Sequence, residues 1–161
     1  HRRMKPGRTS RQSQRDYATP FCLLTLFIAW LIFNVRQKMT TNLKGIDLPE
    51  SFVLGWNTAN ARLVFQIEFA LWPESSFYRQ PREDEWTCFR RGVLVFERIT
   101  IIEGLKKQED VRYGTDASGE RDYGNVDIFE EKDGGVKLSG AFGDVSLRCG
   151  AWHLEFHDEE A

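Results

Sequence analysis

Apolar and polar residues alternate along much of the chain beyond its first third, and a period of two is typical of β-strands with one buried face. The clearest run is RLVFQIEFALW at 62–72, where every second residue from Leu63 is apolar while Gln66 and Glu68 point the other way. The shorter run SFVLGWN at 51–57 precedes it, and TANA joins the two runs. The pattern predicts an antiparallel hairpin.

The remaining runs also indicate short strands. TCFRRGVLVFER at 87–98 is apolar on both faces, which predicts a central strand covered on both sides. ITIIEGL at 99–105 is expected to continue that strand or to pair with it. The polar stretch at 106–125 is the longest predicted loop. Then come NVDIFEEK and VKLSGAF around a DGG turn, which predict a second hairpin, and two further strands, GDVSLRCG and AWHLEFH.

These runs predict an all-β fold for a single acidic domain at 39–161. The expected architecture is an antiparallel β-sandwich or partly open barrel of about seven short strands. Residues 1–38 are predicted to be a separate segment, disordered or helical, because their composition differs sharply from that of residues 39–161.

The first 38 residues join a basic, polar stretch to an apolar one. HRRMKPGRTSRQSQRDY has too little apolar surface to fold, so it is predicted to be disordered. Between Asp16 and Arg36 the chain has no charge over 19 residues, close to the minimum for a bilayer-spanning helix. If native, this stretch at 17–35 would be a membrane segment built on Phe21, Leu23, Leu24, Leu26, Phe27, Ile28, Trp30, Leu31, Ile32 and Phe33.

Three interpretations of this segment stay open. As an anchor in the inner membrane, its basic flank would stay in the cytoplasm and the domain would lie outside. A cleaved signal peptide is disfavoured because NVRQKMTT offers no small-residue cleavage site. The favoured interpretation takes residues 1–38 as upstream or non-native sequence, since Met39 is followed by a polar lead into the first strand. That interpretation predicts a cytoplasmic domain.

Charge is distributed unevenly and narrows the class of partner. Residues 1–38 hold eight Lys or Arg and one acid, whereas residues 39–161 hold fourteen Lys or Arg and twenty-three acids. Phosphate backbones repel such an acidic domain, so nucleic acid is a poor partner for it. A basic protein is favoured, because opposite fields speed encounter. The loops 73–87 and 106–125 are expected to meet it, with candidate contact residues Glu83, Asp84, Glu85, Arg90 and Arg91.

The arginine pair and the cysteine of the 87–98 run can both be explained by ordinary structural roles. Arg90 and Arg91 lie inside a strand-like run, where an ordinary cross-strand ion pair is the favoured interpretation. Cys88 and Cys149 could form a disulfide in an oxidising compartment. Without a wider disulfide framework they are predicted to be reduced, small buried hydrophobes.

Two stretches contain residue types that bind metals. In AWHLEFH the histidines and the glutamate share one face of a strand, although the favoured interpretation is a solvated face. The acidic residues at 116–127 supply oxygen ligands, although a turn that satisfies its own backbone is favoured over calcium. The candidate ligands are His153, Glu155, His157, Asp116, Glu120, Asp122 and Asp127. No bound cofactor is predicted.

Motifs for catalysis do not emerge from the sequence. It contains no G-x-S-x-G, no P-loop and no dinucleotide fingerprint, and no Ser or Cys motif matches the histidines near the C-terminus. A non-enzymatic interaction module is therefore the leading prediction. The alternative is a small-molecule or metal-binding β domain, with or without catalytic activity, which would be anchored in a membrane if residues 17–35 are native.

Three stretches carry a resemblance to a known group of proteins. LPESFVLGW, LWPESSFYRQPREDEWTCFRR and DYGNVDIFEEKDGGVKLSGAFGDVSL resemble a family of small bacterial domains of unknown function. The resemblance covers most of 48–156 and none of residues 1–38. In general character the family is similar to acidic, β-rich immunity proteins that neutralise bacterial toxins. It implies a protein-binding role and assigns no catalytic residue.

Overall fold

The computed structural model describes residues 38–83, 85–115 and 119–157, with only the backbone described for residues 38–40. All of them belong to one of the two units into which the chain divides, Arg36–Ala161. The strands of the described residues are β1 Lys38–Thr40, β2 Ile46–Ala59, β3 Arg62–Leu71, β4 Cys88–Glu97, β5 Ile101–Glu103, β6 Gly114–Thr115, β7 Arg121–Asp122, β8 Val126–Lys132, β9 Gly135–Gly140, β10 Gly143–Arg148 and β11 Ala151–Phe156, with one 3-10 turn at Gln108–Asp110.

The strands form antiparallel sheets, which confirms the predicted all-β class. The first sheet has five strands in the order β1-β11-β4-β3-β2, and the second has four in the order β5-β10-β9-β8. The ribbon β6-β7 is separate. Seven of the strands are at least six residues long, in agreement with the predicted number, and the four others are only two or three residues long.

The two large sheets share one core. Alternate residues of β3 point inward and are almost fully buried, as are their register partners Leu94 and Phe96 on β4. Phe129 on the second sheet meets Trp152 on the first edge-on, with 4.9 Å between ring centroids. Each buried aliphatic or Phe side chain stabilises the fold by about 1.5–3 kcal/mol. The core therefore supports the sandwich arrangement that the period-two pattern predicted.

Both predicted hairpins are confirmed, and each turns on two residues in the left-handed region. Asn60 and Ala61 join β2 to β3 with φ of 51° and 57°, and Asp133 and Gly134 join β8 to β9 with φ of 52° and 73°. Positive φ at both central positions gives the turn type whose twist matches that of the strands.

The central position of β4 is confirmed as well. It lies between β3 and β11, and Val95 on its outer face is as well buried as Leu94 and Phe96 on its inner face. The prediction for the run after it was wrong, because β5 neither continues β4 nor pairs with it. Arg98 adopts a φ of 53°, which ends β4, and the chain crosses to the second sheet, where β5 pairs with β10.

The predictions for the N-terminal segment lie almost wholly outside the described residues. The apolar stretch at 17–35, with its ten candidate membrane residues, is not among them, and β1 begins at Lys38, one residue before the predicted domain boundary. Among the helical segments of the described ranges, none has the length and apolar character needed to cross a membrane.

Candidate protein-interaction surface

A cluster of aromatic side chains lies on the outer face of the first sheet, away from the core. Phe52 on β2 and Phe89 on β4 have ring centroids 5.6 Å apart. Trp86, just before β4, meets Phe89 edge-on at 5.4 Å and keeps 62% of its surface exposed. We call Phe52, Trp86 and Phe89 the aromatic patch. An exposed Trp packed against partly buried rings is a common feature of protein-binding surfaces.

Trp72 extends this face beyond the end of β3. Ala70 on β3 is the register partner of both Phe89 and Asp47. Trp72 lies two residues after Ala70, so its side chain points to the same face of the sheet as Phe89. Its indole N–H donates a hydrogen bond to Oδ2 of Asp47 at 3.0 Å, while 45% of the residue stays exposed. A second amphipathic ring with a fixed polar end thus lies next to the aromatic patch.

An ion pair holds the loop that presents Trp86. The two terminal nitrogens of Arg79 donate to the two carboxylate oxygens of Glu85 at 2.9 and 3.1 Å, and Arg79 also donates to the carbonyl of Phe89. Glu85 accepts a further hydrogen bond from the backbone N–H of Arg82. The hydrogen bond from Arg79 is the main reason that the pKa of Glu85 lies below its ordinary value, against the opposing effect of burial.

The two arginines of the 87–98 run have separate structural roles. Arg90 donates to the carbonyls of Phe77 at 3.3 Å and His157 at 3.0 Å, and its guanidinium lies 5.9 Å from the ring centre of Phe156. It thereby ties the loop 73–87 to the end of β11. This role was not predicted from the sequence.

Arg91 forms the predicted cross-strand ion pair. Its Nε lies 3.8 Å from Oε1 of Glu68, its register partner on β3. Its two terminal nitrogens also contact both carboxylate oxygens of Glu120, one of them at 3.1 Å. Because Glu68 pairs with Phe52 on the other side, this ion cluster borders the aromatic patch. It fastens the predicted loop 106–125 beside that surface.

The charged residues predicted as partner contacts are mostly engaged within the protein. Glu85, Arg90 and Arg91 bind groups of the same chain, Glu83 is exposed in the loop, and Asp84 lies outside the described residues. The aromatic patch was not predicted from the sequence. One feature of the sequence could have indicated it: Trp86 directly follows the charged stretch PREDE and precedes the strand run, so it is a large aromatic residue in a polar loop.

His153 and Glu155 come together, and the predicted solvated face is wrong for His153, which is buried, although His157 is exposed. Nε2 of His153 lies 2.7 Å from Oε1 of Glu155, and only 8% of His153 is exposed. His157 follows β11 and is exposed, and its backbone N–H donates to the carbonyl of Arg91. Within the described ranges, no three His, Cys, Asp or Glu side chains are grouped so as to hold a metal ion.

The candidate ligands of the acidic stretch lie apart from one another. Glu120 contacts Arg91, whereas Oδ1 of Asp122 accepts the backbone N–H of Gly124 at 2.7 Å. That bond supports the interpretation of a turn that satisfies its own backbone. Asp127 is exposed on β8, and Asp116 lies outside the described residues.

Both described cysteines are free thiols, and the prediction that both are buried is confirmed for Cys88 but not for Cys149, which is partly exposed. Cys88 is buried, and its sulfur accepts a hydrogen bond from the backbone N–H of Arg79. Burial raises the pKa of Cys149, and the nearby charge of Glu131 raises it further. A thiol with a raised pKa is a poor nucleophile at neutral pH.

Comparison with protein-family models, with curated proteins and with solved structures finds no match for this chain. The resemblance to a family of small bacterial domains therefore stays a prediction. Function has to be inferred from the aromatic patch and the residues that surround it.

Proposed function

We propose that this chain is a non-enzymatic protein-interaction module whose contact surface is centred on the aromatic patch. The observation that carries the proposal is Trp86, which is 62% exposed although it packs on Phe89 and sits in a loop fixed by the Arg79–Glu85 ion pair. Aromatic side chains held rigidly lose little conformational entropy on binding, and they dominate the energy of many interfaces.

The charge of the domain supports a basic partner. Residues 39–161 carry a clear excess of acidic side chains, and Glu83 is exposed in the same loop as Trp86. Opposite charge at the rim of an interface accelerates association and selects among partners, while the aromatic centre supplies most of the affinity. We therefore propose a basic protein as the partner, bound over the aromatic patch.

An exposed aromatic patch on an acidic domain best suits one class of partner, a basic toxin that is neutralised by binding, as in immunity proteins. The similarity to such proteins in size, acidity and strand content is one of general character. It adds to the proposal a cytoplasmic site of action and a stoichiometric complex.

Affinity capture from the organism that encodes the chain tests the proposal. The wild type, Trp86→Ala and Ile101→Ala are compared at low salt. Ile101 is a matched control because it is an exposed apolar residue, 46% exposed, on β5 of the second sheet, whereas the aromatic patch lies on the first sheet. We expect one basic protein in stoichiometric amount with the wild type and Ile101→Ala, and at least about tenfold less with Trp86→Ala, as for an interface hot spot. Equal recovery with all three proteins would contradict the proposal.

A further inference from the structure

The second sheet ends in an edge strand that borders an open groove. β8 is the last strand in the order β5-β10-β9-β8, and among the described residues it pairs with β9 alone. A groove of about 380 Å³ runs beside it, lined on this side by residues 126–130. Side chains of consecutive strand residues point to opposite faces. A groove lined by five consecutive residues therefore follows the edge of the strand, where its backbone is accessible.

The hairpin register shows which backbone groups of β8 point to this edge. Lys132 and Gly135 flank the two-residue turn, so they form the hydrogen-bonded pair that closes the hairpin. Hydrogen-bonded and non-hydrogen-bonded pairs then alternate along the ladder. Phe129 and Glu131 consequently direct their N–H and C=O groups to the edge of β8 that faces away from β9. Phe129 lines the groove, and Glu131 follows the last lining residue, Glu130.

The opposite wall of the groove is apolar and is not suited to pairing with β8. It is formed by Leu43, Ile46, Leu48 and Pro49, and Pro49 has no N–H to donate. A bulge between Asp47 and Phe52 takes this part of β2 out of register with β3. Ser51 stabilises the bulge, because its hydroxyl accepts the N–H of Ala70 at 3.0 Å and donates to the carbonyl of Asp47 at 2.5 Å.

The exposed side chains of β8 determine what can occupy the groove. Asp127, Glu130 and Glu131 are exposed and acidic, and Ile128 is 47% exposed between them. Two copies of β8 paired with each other would bring like charges together, which disfavours self-association. A strand with Lys or Arg would instead meet opposite charges.

We propose that β8 binds an extended basic segment of another protein, which adds to the second sheet as a fifth strand. Its backbone would pair with the groups of Phe129 and Glu131, its apolar side chains would fill the groove, and its basic side chains would meet the acidic residues. The pairing edge, β8, lies on the other sheet from the aromatic patch, although β2 forms the opposite wall of the groove and also carries Phe52. The proposal does not require that the patch binds a protein.

Amide exchange followed by NMR tests the proposal with a synthetic probe. The probe is a seven-residue peptide that alternates Val with Lys, matched to the length of β8. The control peptide has Glu in place of Lys. We expect the Val–Lys peptide at saturation to slow exchange at the Phe129 and Glu131 amides by about tenfold or more, as for newly protected edge amides. The Glu130 amide, which pairs with β9, should change far less.

The variant Glu131→Pro removes one edge N–H without removing a hydrogen bond to β9, and Glu131→Ala is its control. We expect the Val–Lys peptide to protect the Phe129 amide in Glu131→Ala but not in Glu131→Pro. If the Val–Lys peptide does not slow amide exchange in the wild type, the proposal is overturned. This result with the wild type is decisive even if Glu131→Pro does not fold. Equal slowing by the Val–Glu peptide would also overturn it, as would slowing that depends on protein concentration without peptide.

Discussion

Trp86 remains exposed because the residue before it is held in place. Glu85 is bound by both terminal nitrogens of Arg79, and the same guanidinium reaches the carbonyl of Phe89 on β4. The loop therefore cannot fold back to bury the indole without breaking a charge-assisted contact. At the scale of single residues, charge in this protein positions an aromatic group, and under the proposed function that group contacts the partner.

The substitution Glu85→Gln tests this role of charge through its dependence on pH. The pKa of Glu85 is lowered in the folded state, chiefly by Arg79. Its ionised form therefore stabilises the fold at neutral pH, and this contribution is lost as the pH falls through the lowered pKa. We expect urea unfolding at pH 7 to show the variant about 1 kcal/mol less stable than the wild type, a typical value for a partly exposed charged hydrogen bond.

The gap should shrink as the same unfolding is measured at successively lower pH, because the unfolded chain then takes up a proton at Glu85 before the folded protein does. Glu83→Gln serves as the control, since Glu83 is an exposed residue of the same loop. An equal loss of stability in both variants, or a gap that does not depend on pH, would show that Glu85 has no special role.

The site was only partly predictable from sequence. The loop 73–87 was identified correctly as a surface feature, because prolines and mixed charge indicate a loop. The cross-strand ion pair of Arg91 was predicted, whereas the roles of Glu85 and Arg90 and the contact of Arg91 with Glu120 were not. A sequence cannot show whether a charged side chain faces solvent or a partner far along the chain. Glu120, which contacts Arg91, is separated from it by 29 positions.

At the scale of elements, prediction succeeded wherever a strand was long enough to show its period. The seven longer strands and both two-residue turns follow from alternation and turn residues. Strands of two or three residues carry no period, so β6 was not found inside the predicted loop 106–125. The run that contains β5 was predicted as a strand, but with the wrong partner. The path of the chain after β4 also could not be predicted, because it depends on the left-handed conformation of Arg98.

The turn between β2 and β3 offers a stabilising substitution. Ala61 has a φ of 57°, where its Cβ is strained and glycine is not. We expect Ala61→Gly to raise the free energy of unfolding by about 0.5–1 kcal/mol, in spite of the greater freedom of glycine in the unfolded chain. Thermal unfolding measures the change. Ala59→Gly, two residues earlier in β2, should be destabilising, and a lower melting temperature for Ala61→Gly would contradict the assignment of the turn.

The bulge in β2 depends on one hydroxyl group. Ser51 is fully buried and accepts the N–H of Ala70. We expect Ser51→Ala to cost about 1–3 kcal/mol of stability, because a buried donor loses its acceptor. Urea unfolding measures this cost, with the exposed Ser76→Ala as control. A cost no larger than that of the control would mean that the bulge is held in another way.

At the scale of the whole molecule, aromatic side chains join the two sheets into one core. Phe142, at the turn between β9 and β10, packs against Phe65 at 4.8 Å and Trp56 at 6.1 Å on the first sheet. The outer faces then differ in character: the first sheet carries the aromatic patch, and the second carries an acidic edge strand.

The substitution Phe142→Ala tests whether the two sheets unfold together. We expect a loss of about 3–5 kcal/mol, the usual cost of deleting a buried Phe side chain. Far-ultraviolet circular dichroism and tryptophan fluorescence should still report one coincident transition. Two separate transitions in the wild type would show that the sheets are independent units.

Oxidation of Trp86 by hydroxyl radicals shows whether a partner covers the aromatic patch. The rate is measured for the purified protein in buffer and for the same protein in extract of its own organism, with a dosimeter peptide to equalise the radical dose. We predict that the extract protects Trp86 strongly, because under the proposed function a basic partner covers the indole. An oxidation rate that is the same in both settings would contradict the proposed function of the patch.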